Sequence, residues 1–550
     1  VFALFINNIM KYIVISGGVI SGLGKGITAS SIGVLLKNKG YSVTSIKIDP
    51  YLNIDAGTMS PLEHGEVFVL NDGTETDLDL GNYERFLDIK LHKDHNITSG
   101  NVFQKIINDE RKGKYIGQTV QIIPHVTNKI QELIKNTSEI VVNNITKPEI
   151  CIIELGGTIG DMESMYFVEA LRQMNYRSDE NSFCFIHISL VINNNDEEKT
   201  KPTQNSVCEL RRLGINPNIL ILRNTNDISQ ETKEKISLHT EVKTENIFIN
   251  KNCENIYQVP LQLNDQKIID RIEKILNINN HNTIDLRFLH KINNIINIDR
   301  KPINVAIIGK YTKLNDTYLS IHRALEHASY SINVKLNITY IDSEQFECTT
   351  PNEKIKKILD GVDGIVIPGG FGIRGIEGMI NVASYCRKNN IPTFGICLGM
   401  QIMCIEAARN VLLDKKCISV ESLKENDNRE RYHSIIIPMK ELNYDEMGGT
   451  MKLGLKKSFI TNKETLAYKI YNSNEIFERH RHRYEVNPAY INSIESNGLL
   501  FSAWDESGNC MDIVEDYEKK FYIGSQFHPE FKSSIENPCP LFKSFIISLI

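Results

Sequence analysis

The chain has 550 residues, more than one hydrophobic core usually organises, so two or more domains are expected. Hydrophobic residues make up 41% and charged residues 24%, too apolar for a disordered chain and too polar for a membrane bundle. The formal net charge of -6 withholds the cationic surplus that non-specific nucleic-acid binding needs, although a local basic pocket for a small phosphorylated ligand stays open.

The opening nine residues, VFALFINNI, are apolar but lack a basic leader or cleavage signature and are too short to span a bilayer. Residues 1–9 are therefore read as an extension without function, with Met10 as the expected natural start. No later stretch reaches 18 uninterrupted apolar residues. The 11 cysteines are scattered, odd in number and without zinc-ligand spacing, which fits reduced thiols in a cytoplasmic protein.

Residues 12–16 (YIVIS) predict a buried strand. It runs into Gly17-Gly18-Val19-Ile20-Ser21-Gly22-Leu23-Gly24-Lys25-Gly26-Ile27-Thr28 and then a helical pattern. Strand, glycine-rich turn and helix N-terminus is an arrangement that cradles phosphate, with Lys25 as a point charge for the outer phosphates. The loop is a variant, since five residues separate Gly18 from Gly24 and Gly26 stands where Ser or Thr belongs. A bland glycine turn is the competing reading; the strand before it, the helix after it and the lysine favour nucleotide binding. Such sites commonly hold Mg2+ through carboxylates, and the candidates are Asp77 or Asp79 in the acidic run TETDLDL and Glu154 at the end of ICIIEL, a predicted strand. Most acids are merely solvated, but Glu154 abuts a buried run and needs a partner.

Residues 183–190 (FCFIHISL) and 219–222 (ILIL) predict further strands. Between them Lys199-Thr200-Lys201-Pro202-Thr203-Gln204, followed by Arg211 and Arg212 on a predicted helix, could bind a triphosphate and a base; alone such a run is weak evidence. The polar, Asn-rich stretch 278–302 reads as a linker in which LRFLHKI could form a short helix. A second α/β pattern begins at 303–308 (INVAII) and continues through 364–367 (GIVI) and 393–396 (TFGI). Its informative feature is Gly395-Ile396-Cys397-Leu398-Gly399 before a helical run, a cysteine version of the nucleophile elbow. A thiol at a helix N-terminus is favoured as thiolate. Downstream, in Gln526-Phe527-His528-Pro529-Glu530-Phe531, His528 can act as base and Glu530 can orient it, while Pro368-Gly369-Gly370-Phe371-Gly372 could supply oxyanion donors together with Leu398. Free cysteines and lone histidines are usually structural; the conjunction is what raises this set. The fold class is α/β: two domains, each on a mainly parallel sheet, over 10–277 and 303–550.

The strings GGVISGLGKG, KIDPYLNIDAGTMSPLEHGEVFVLNDGTETDLDLGNYERF, ELGGTIGDMES, KTKPTQNSV, PGGFGIRGIEG, GICLGMQ, GGTMKLG, RHRHRYEVN and QFHPEF, in this order, resemble the CTP synthase family. The resemblance runs from Met10 nearly to the C-terminus. It implies a variant P-loop, Rossmann-like synthetase domain and a class I glutamine amidotransferase domain, which together convert UTP to CTP with ATP, Mg2+ and L-glutamine. By motif, Gly22, Leu23, Gly24, Lys25, Gly26, Ile27 and Asp79 match the ATP site, with Asp79 and Glu154 as magnesium ligands. Lys251, Asn252 and Cys253 match an adenine-side loop. Ser21, Lys199, Thr200, Lys201, Pro202, Thr203, Gln204 and Lys235 match the UTP site, and Asp161, Met162 and Glu163 the segment used by the inhibitor CTP. Gly370, Leu398, Gly399, Met400, Gln401, Glu421 and Arg483 match glutamine contacts, with Cys397, His528 and Glu530 as the triad. Arg374, Gly375 and Glu377 fall in the loop associated with GTP activation. The family also implies a homotetramer that can form filaments; the thiols point to the cytoplasm, and the charge balance and the lack of a membrane-length apolar run to no nucleic-acid or membrane partner. Gln118 where glycine is expected, Met379 for lysine and Lys452 for arginine depart from the pattern. A corrinoid-side-chain amidase resembles the layout but does not join KTKPTQ to a Cys–His–Glu set. The intact site residues speak against a filament-forming protein without turnover, and the net charge against a nucleic-acid-binding ATPase.

Overall fold

The computed structural model describes residues 10–142, 146–194, 197–297, 301–347, 352–414, 416–423, 431–439 and 449–550. Residues 1–9, read above as an extension, lie outside them. The chain packs as two compact units that are not divided at a single linker: the described residues up to Asp55 join Asp79–Asn294, and Ala56–Leu78 joins Ile295–Ile550.

The first unit is built on one parallel sheet of seven strands: β1 Lys11–Gly17, β2 Val43–Asp49, β3 Asn96–Thr98, β4 Ile150–Leu155, β5 Phe183–Leu190, β6 Ile219–Asn224 and β7 Ile247–Lys251. Their spatial order is β7-β6-β5-β1-β4-β2-β3. The runs YIVIS, ICIIEL, FCFIHISL and ILIL all fall in these strands, because a parallel strand covered on both faces reads as a continuous apolar run. The chain first builds outward on one side of β1 and then crosses to the other at β5. The C-terminal end of β1 is thus the switch point where open α/β sheets bind ligands. Helix α1 (Lys25–Lys39) starts there, after a left-handed Gly24. The anticipated short helix in the linker region is Arg287–Ile296, with Leu289, Ile292 and Ile295 buried.

The second unit contains β8 Ile303–Gly309, β9 Leu336–Asp342, β10 Gly364–Ile367, β11 Thr393–Ile396, β12 Lys452–Ile460, β13 Glu475–His482, β14 Leu500–Asp505, β15 Met511–Glu515 and β16 Tyr522–Ser525. Their order is β9-β8-β10-β11-β16-β15-β14-β12-β13. Pairing is parallel from β9 to β16 and antiparallel beyond it. The segment 56–78 contributes a hairpin, Val67–Val69 against Glu75–Asp77. Arg479 on β13 fastens it, donating to Val69 O at 2.9 Å and to Asn71 Oδ1 at 2.7 Å. Glu66 receives the backbone N–H of Ser320 in the first turn of helix Leu319–Ser331, a helix end that favours a carboxylate. Among the described residues, no helix is long and apolar enough to cross a membrane.

Candidate active sites

In the second unit β11 leads into helix α3 (Leu398–Leu412), and Cys397 caps it with φ 52° and ψ -101°. This backbone is costly for an L side chain, by about 1–3 kcal/mol, and persists only where the surroundings enforce it. Here Cys397 N donates to Ser525 O at 2.6 Å, and Gln401 N to Cys397 O at 3.2 Å. The flanking glycines are dictated by close approach. A Cβ on Gly399 would lie 2.0 Å from Ile367 O, and one on Gly395 would lie 2.7 Å from the Gly399 carbonyl carbon.

Opposite the elbow, His528 Nδ1 bonds Glu530 Oε1 at 2.7 Å, and the Phe531 ring stacks on the imidazole. Cys397, His528 and Glu530 line one cavity. A Cβ on Gly369 would touch both partners, at 2.9 Å from His528 Cε1 and 3.5 Å from Cys397 Cβ. Burial opposes the imidazolium, but the Glu530 carboxylate and the Cys397 sulfur outweigh it and push the His528 pKa up to about 10. Among the described residues Nε2 has no conventional hydrogen-bond partner, which leaves it for the thiol and a leaving group.

The glycine turn after β10 is held from outside. Phe371 N donates to Tyr311 Oη at 3.2 Å and Gly372 N to Glu421 Oε1 at 2.7 Å, while Lys310 Nζ donates to the Phe371 carbonyl at 3.1 Å and to that of Gly372. Burial draws the Lys310 ammonium down to about 8. Among the described residues the Gly370 and Leu398 N–H groups have no internal acceptor. Met400 is fully buried in α3, and Gln401 sits 5% exposed in a buried amide network. Arg483 is buried but is not on the cavity wall; Arg481, which sequence reasoning passed over, is on it. Arg481 Nε meets Glu75 Oε1 at 2.7 Å, and its guanidinium lies 5.1 Å from the Phe371 ring centroid. Strand alternation on β13 places Arg479 and Arg481 on one face, a signal RHRHR carries once it is read as a strand. Arg374 pairs with Asp342 and Glu344 at 3.4 and 3.3 Å, Gly375 N donates to Glu347, and Glu377 binds Arg409 at 2.7 and 2.8 Å.

In the first unit Lys25 Nζ donates to Gly157 O at 2.5 Å, across the mouth of the glycine loop. A Cβ on Gly26 would lie 1.9 Å from Asp79 Oδ1, so the carboxylate rests directly on the first helical turn. Asp79 is in the first turn of helix Leu78–Leu87, whereas Asp77 ends the hairpin of the other unit. Register brings Lys47 opposite Glu154 on neighbouring strands. The buried Lys47 ammonium ion-pairs with Asp79 and stands 3.5 Å from both Asp49 and Glu154. Burial first, then the Asp79 charge, raises Glu154 to about 7, against Lys47 and Lys25 and a bond from Tyr83. Burial likewise raises Asp49. Lys47 and Asp49 were missed because KIDP reads as the end of an ordinary strand; the signal was a lysine inside an apolar run. Two hard-oxygen carboxylates beside a phosphate loop fit Mg2+, which takes one or two carboxylates plus substrate phosphates.

Of the KTKPTQ residues, Lys199 ends the short strand Glu197–Lys199, Thr200 caps helix α2 (Lys201–Arg212), and Lys201 to Gln204 form its first turn. Pro202 lies in its first turn and Lys201 is exposed; Thr203 Oγ1 donates to Leu190 O, Gln204 Nε2 to the Thr200 hydroxyl, and Lys199 pairs with Glu197. Buried His187 joins the loop strand to this helix, with Nδ1 2.9 Å from Ser16 Oγ and Nε2 2.6 Å from Ser206 Oγ. Burial, aided by Lys25, lowers its pKa to about 3, so it bridges as a neutral ring. Ser21 and Lys235 are exposed; so are Asp161, Met162 and Glu163, with Asp161 accepting from Thr158 N at 3.2 Å. A cleft of about 380 Å³ is lined by Gly22, Leu23, Arg223, Asn224, Thr225 and Asn252 among others. Arg223 donates to Asn252 Oδ1 at 2.7 Å, which ties the expected adenine-side loop to the end of β6. Lys251 pairs with Asp227 at 3.1 Å, and Cys253 is partly exposed.

Residues 11–278 match the family model for the CTP synthase N-terminus, and 313–548 that for class-I glutamine amidotransferase. The chain is 46% identical over 551 residues to CTP synthase 2 of Xenopus laevis, covering 98% of this chain and 94% of that one. It is 45% identical over 561 residues to CTP synthase of Dictyostelium discoideum, covering 97% and 98%. A solved glutaminase domain of Trypanosoma brucei CTPS with bound acivicin is 39% identical and covers 45% of this chain and 93% of its own, at a TM-score of 0.41.

Proposed function

This chain belongs to the CTP synthase family, and on that premise we propose how its residues divide the amination of UTP between two sites. In the second unit the Cys397 sulfur gives its proton to His528 Nε2 and attacks the amide carbon of L-glutamine. Glu530 holds the imidazolium, and the Gly370 and Leu398 N–H groups receive the developing oxyanion. Collapse of the tetrahedral intermediate breaks the C–N bond, the His528 proton completes ammonia, and water hydrolyses the thioester. The observation that carries this half is the 2.7 Å His528–Glu530 bond on the same cavity as a strained Cys397 at a helix N-terminus.

In the first unit Lys25 and Lys47 neutralise phosphate charge while the γ-phosphoryl group of ATP passes to the 4-oxygen of UTP, releasing ADP. Asp79 and Glu154 would hold Mg2+, which supplies Lewis-acid polarisation of phosphate oxygens. Ammonia then displaces phosphate from the activated carbon to give CTP. Arg223, Asn224 and Asn252 serve the nucleoside side of ATP; Ser21, Lys235 and the start of α2 serve the UTP triphosphate, with Asp161, Met162 and Glu163 serving the inhibitor CTP. Gln401, Glu421 and Arg483 serve glutamine, and the Arg374, Gly375 and Glu377 loop answers to GTP. We assign a homotetramer in the cytoplasm, consistent with described cysteines that are all free thiols.

The test follows UTP amination with ATP and Mg2+, supplying glutamine or ammonium as donor. Cys397→Ala is expected to abolish the glutamine-driven rate while the ammonium-driven rate continues; equal loss of both would make Cys397 structural. Lys25→Ala is expected to abolish both, and retained turnover would remove the loop from the scheme.

A further inference from the structure

We propose that Gln526 is a catalytic residue of the glutaminase reaction: its side-chain amide donates to the Cys397 sulfur, favours the thiolate and aims it at the substrate. The proposal rests on the reading of Cys397 as nucleophile. Among the described residues, two groups besides His528 contact the sulfur, the Arg481 carbonyl oxygen at 3.8 Å and Gln526 Nε2 at 3.6 Å. A carbonyl can only accept. It suits the thiol proton and repels the anion left when that proton moves to His528 Nε2. Besides the imidazolium that this transfer creates, the donor in place for the anion is Gln526.

The orientation of the amide follows from the hydrogen-bond network around it. Gln401 Nε2 donates to Tyr484 O at 3.2 Å and to Gln526 Oε1 at 3.3 Å. Tyr484 O is an acceptor, so Gln401 must turn its NH2 toward it and presents the remaining N–H to Gln526. Gln526 must answer with its oxygen, which leaves its own NH2 for the sulfur. Reversing Gln401 would set its oxygen against those of Tyr484 and Gln526, and reversing Gln526 would set NH2 against NH2 and its oxygen against the sulfur, each a costly mismatch in a buried place. Gln526 is fully buried and Gln401 nearly so, and a charge-assisted bond gains strength where water is excluded. The backbone supports the aim: Gln526 N donates to Asp512 O at 2.8 Å, Phe527 turns into the core, and Gln526 and His528 both approach Cys397. Gln401, assigned to glutamine above, thereby also acts as a positioning residue for Gln526.

The experiment uses full-length Gln526→Met, which keeps length and apolar bulk but removes the donor, and Gln526→Glu, which sets an anion beside the sulfur. Alkylation of Cys397 by iodoacetamide is followed by peptide mass spectrometry from pH 5 to 10, with steady-state glutaminase kinetics and thermal melting on the same samples. The methionine variant is expected to move the alkylation midpoint up by about one pH unit, a tenfold loss of thiolate at a given pH below it. Its kcat is expected to fall roughly tenfold to a hundredfold while KM changes little. The glutamate variant should move the midpoint further, and Gln401→Met should move it the same way but less. A methionine midpoint equal to wild type overturns the proposal even if kcat falls, since packing alone would then explain the loss. If one variant fails to melt cooperatively, the other and Gln401→Met decide by the same midpoint. Cys397→Ala that still releases ammonia from glutamine would instead sink the nucleophile assignment.

Discussion

At the glutaminase site the charges are matched inside the protein. His528 has Glu530, Arg481 has Glu75, Lys310 has two carbonyls, and Cys397, the proposed nucleophile, sits on an elbow fixed by backbone bonds. At the nucleotide site three carboxylates, Asp49, Asp79 and Glu154, converge on Lys47, and burial raises two of them toward protonation. The contrast follows from the chemistry each must do. A covalent nucleophile needs a proton route and little added charge, so a preformed network suffices. Phosphoryl transfer brings several negative charges and a divalent cation, so a surplus of carboxylates around Lys47, with Lys25 close by, is a site whose charge is balanced by its ligands.

The harshest way to break this contrast is Lys47→Met. Removing the ammonium leaves three largely buried acids facing one another, and breaking a buried ion pair from one side costs about 3–5 kcal/mol. Ammonium-driven CTP formation is expected to fall at least roughly a thousandfold, the scale of losing a principal charge stabiliser in phosphoryl transfer. Thermal melting of the same sample separates unfolding from lost chemistry. A folded Lys47→Met enzyme that keeps its ammonium-driven rate would show that the carboxylate cluster is not the reaction centre.

A smaller effect sharpens the same point. With Glu154 raised to about 7, protons and Mg2+ compete for one carboxylate in the neutral range. The Mg2+ concentration for half-maximal ammonium-driven rate should therefore fall as pH rises from 6 toward 8 and level off above, approaching tenfold per pH unit at the acid end. The free ammonia concentration is held constant across the series. In Glu154→Gln the dependence should flatten; a wild-type requirement that ignores pH would detach Glu154 from the metal.

The two regions also differ in how far their sequence announced them. Cys397, His528 and Glu530 were readable because each stands in a short string whose glycines or spacing have one physical use, and Gly399 shows why: its missing Cβ is the contact with Ile367 O. Lys25, Asp79 and Glu154 were readable for a similar reason, next to a glycine loop or at the end of an apolar strand. Lys47 was not, because only parallel register sets it beside Glu154. The buried strands of both sheets were evident as apolar runs, whereas β13 hid behind EIFERHRH, in which Arg479 and His480 are fully buried charges or rings that a polarity pattern assigns to solvent. The hairpin of residues 56–78 gave no sign in composition that it packs with the second unit. Its allegiance rests on bonds from Arg479 and Arg481, more than 400 residues away in the chain.

The gentlest test concerns the matched site. A histidine raised from about 6.5 to about 10 binds its proton more tightly folded than unfolded, so its stabilisation is complete below about pH 6.5 and drains away as pH rises toward 10. The ceiling is about 5 kcal/mol at 1.36 kcal/mol per unit, and the part owed to Glu530 is smaller because Cys397 shares it. Glu530→Gln keeps the shape of the side chain and removes the charge. The wild-type melting temperature should exceed that of the variant by a few degrees at pH 6, since each kcal/mol moves the melting point of a domain this large by about 2–4 °C. The gap should close steadily between pH 7 and 10, because wild type is losing what the variant never had. A gap that is constant with pH would mean that Glu530 holds His528 by geometry alone, and the protein would then carry less of its own counter-charge at this site than the geometry indicates.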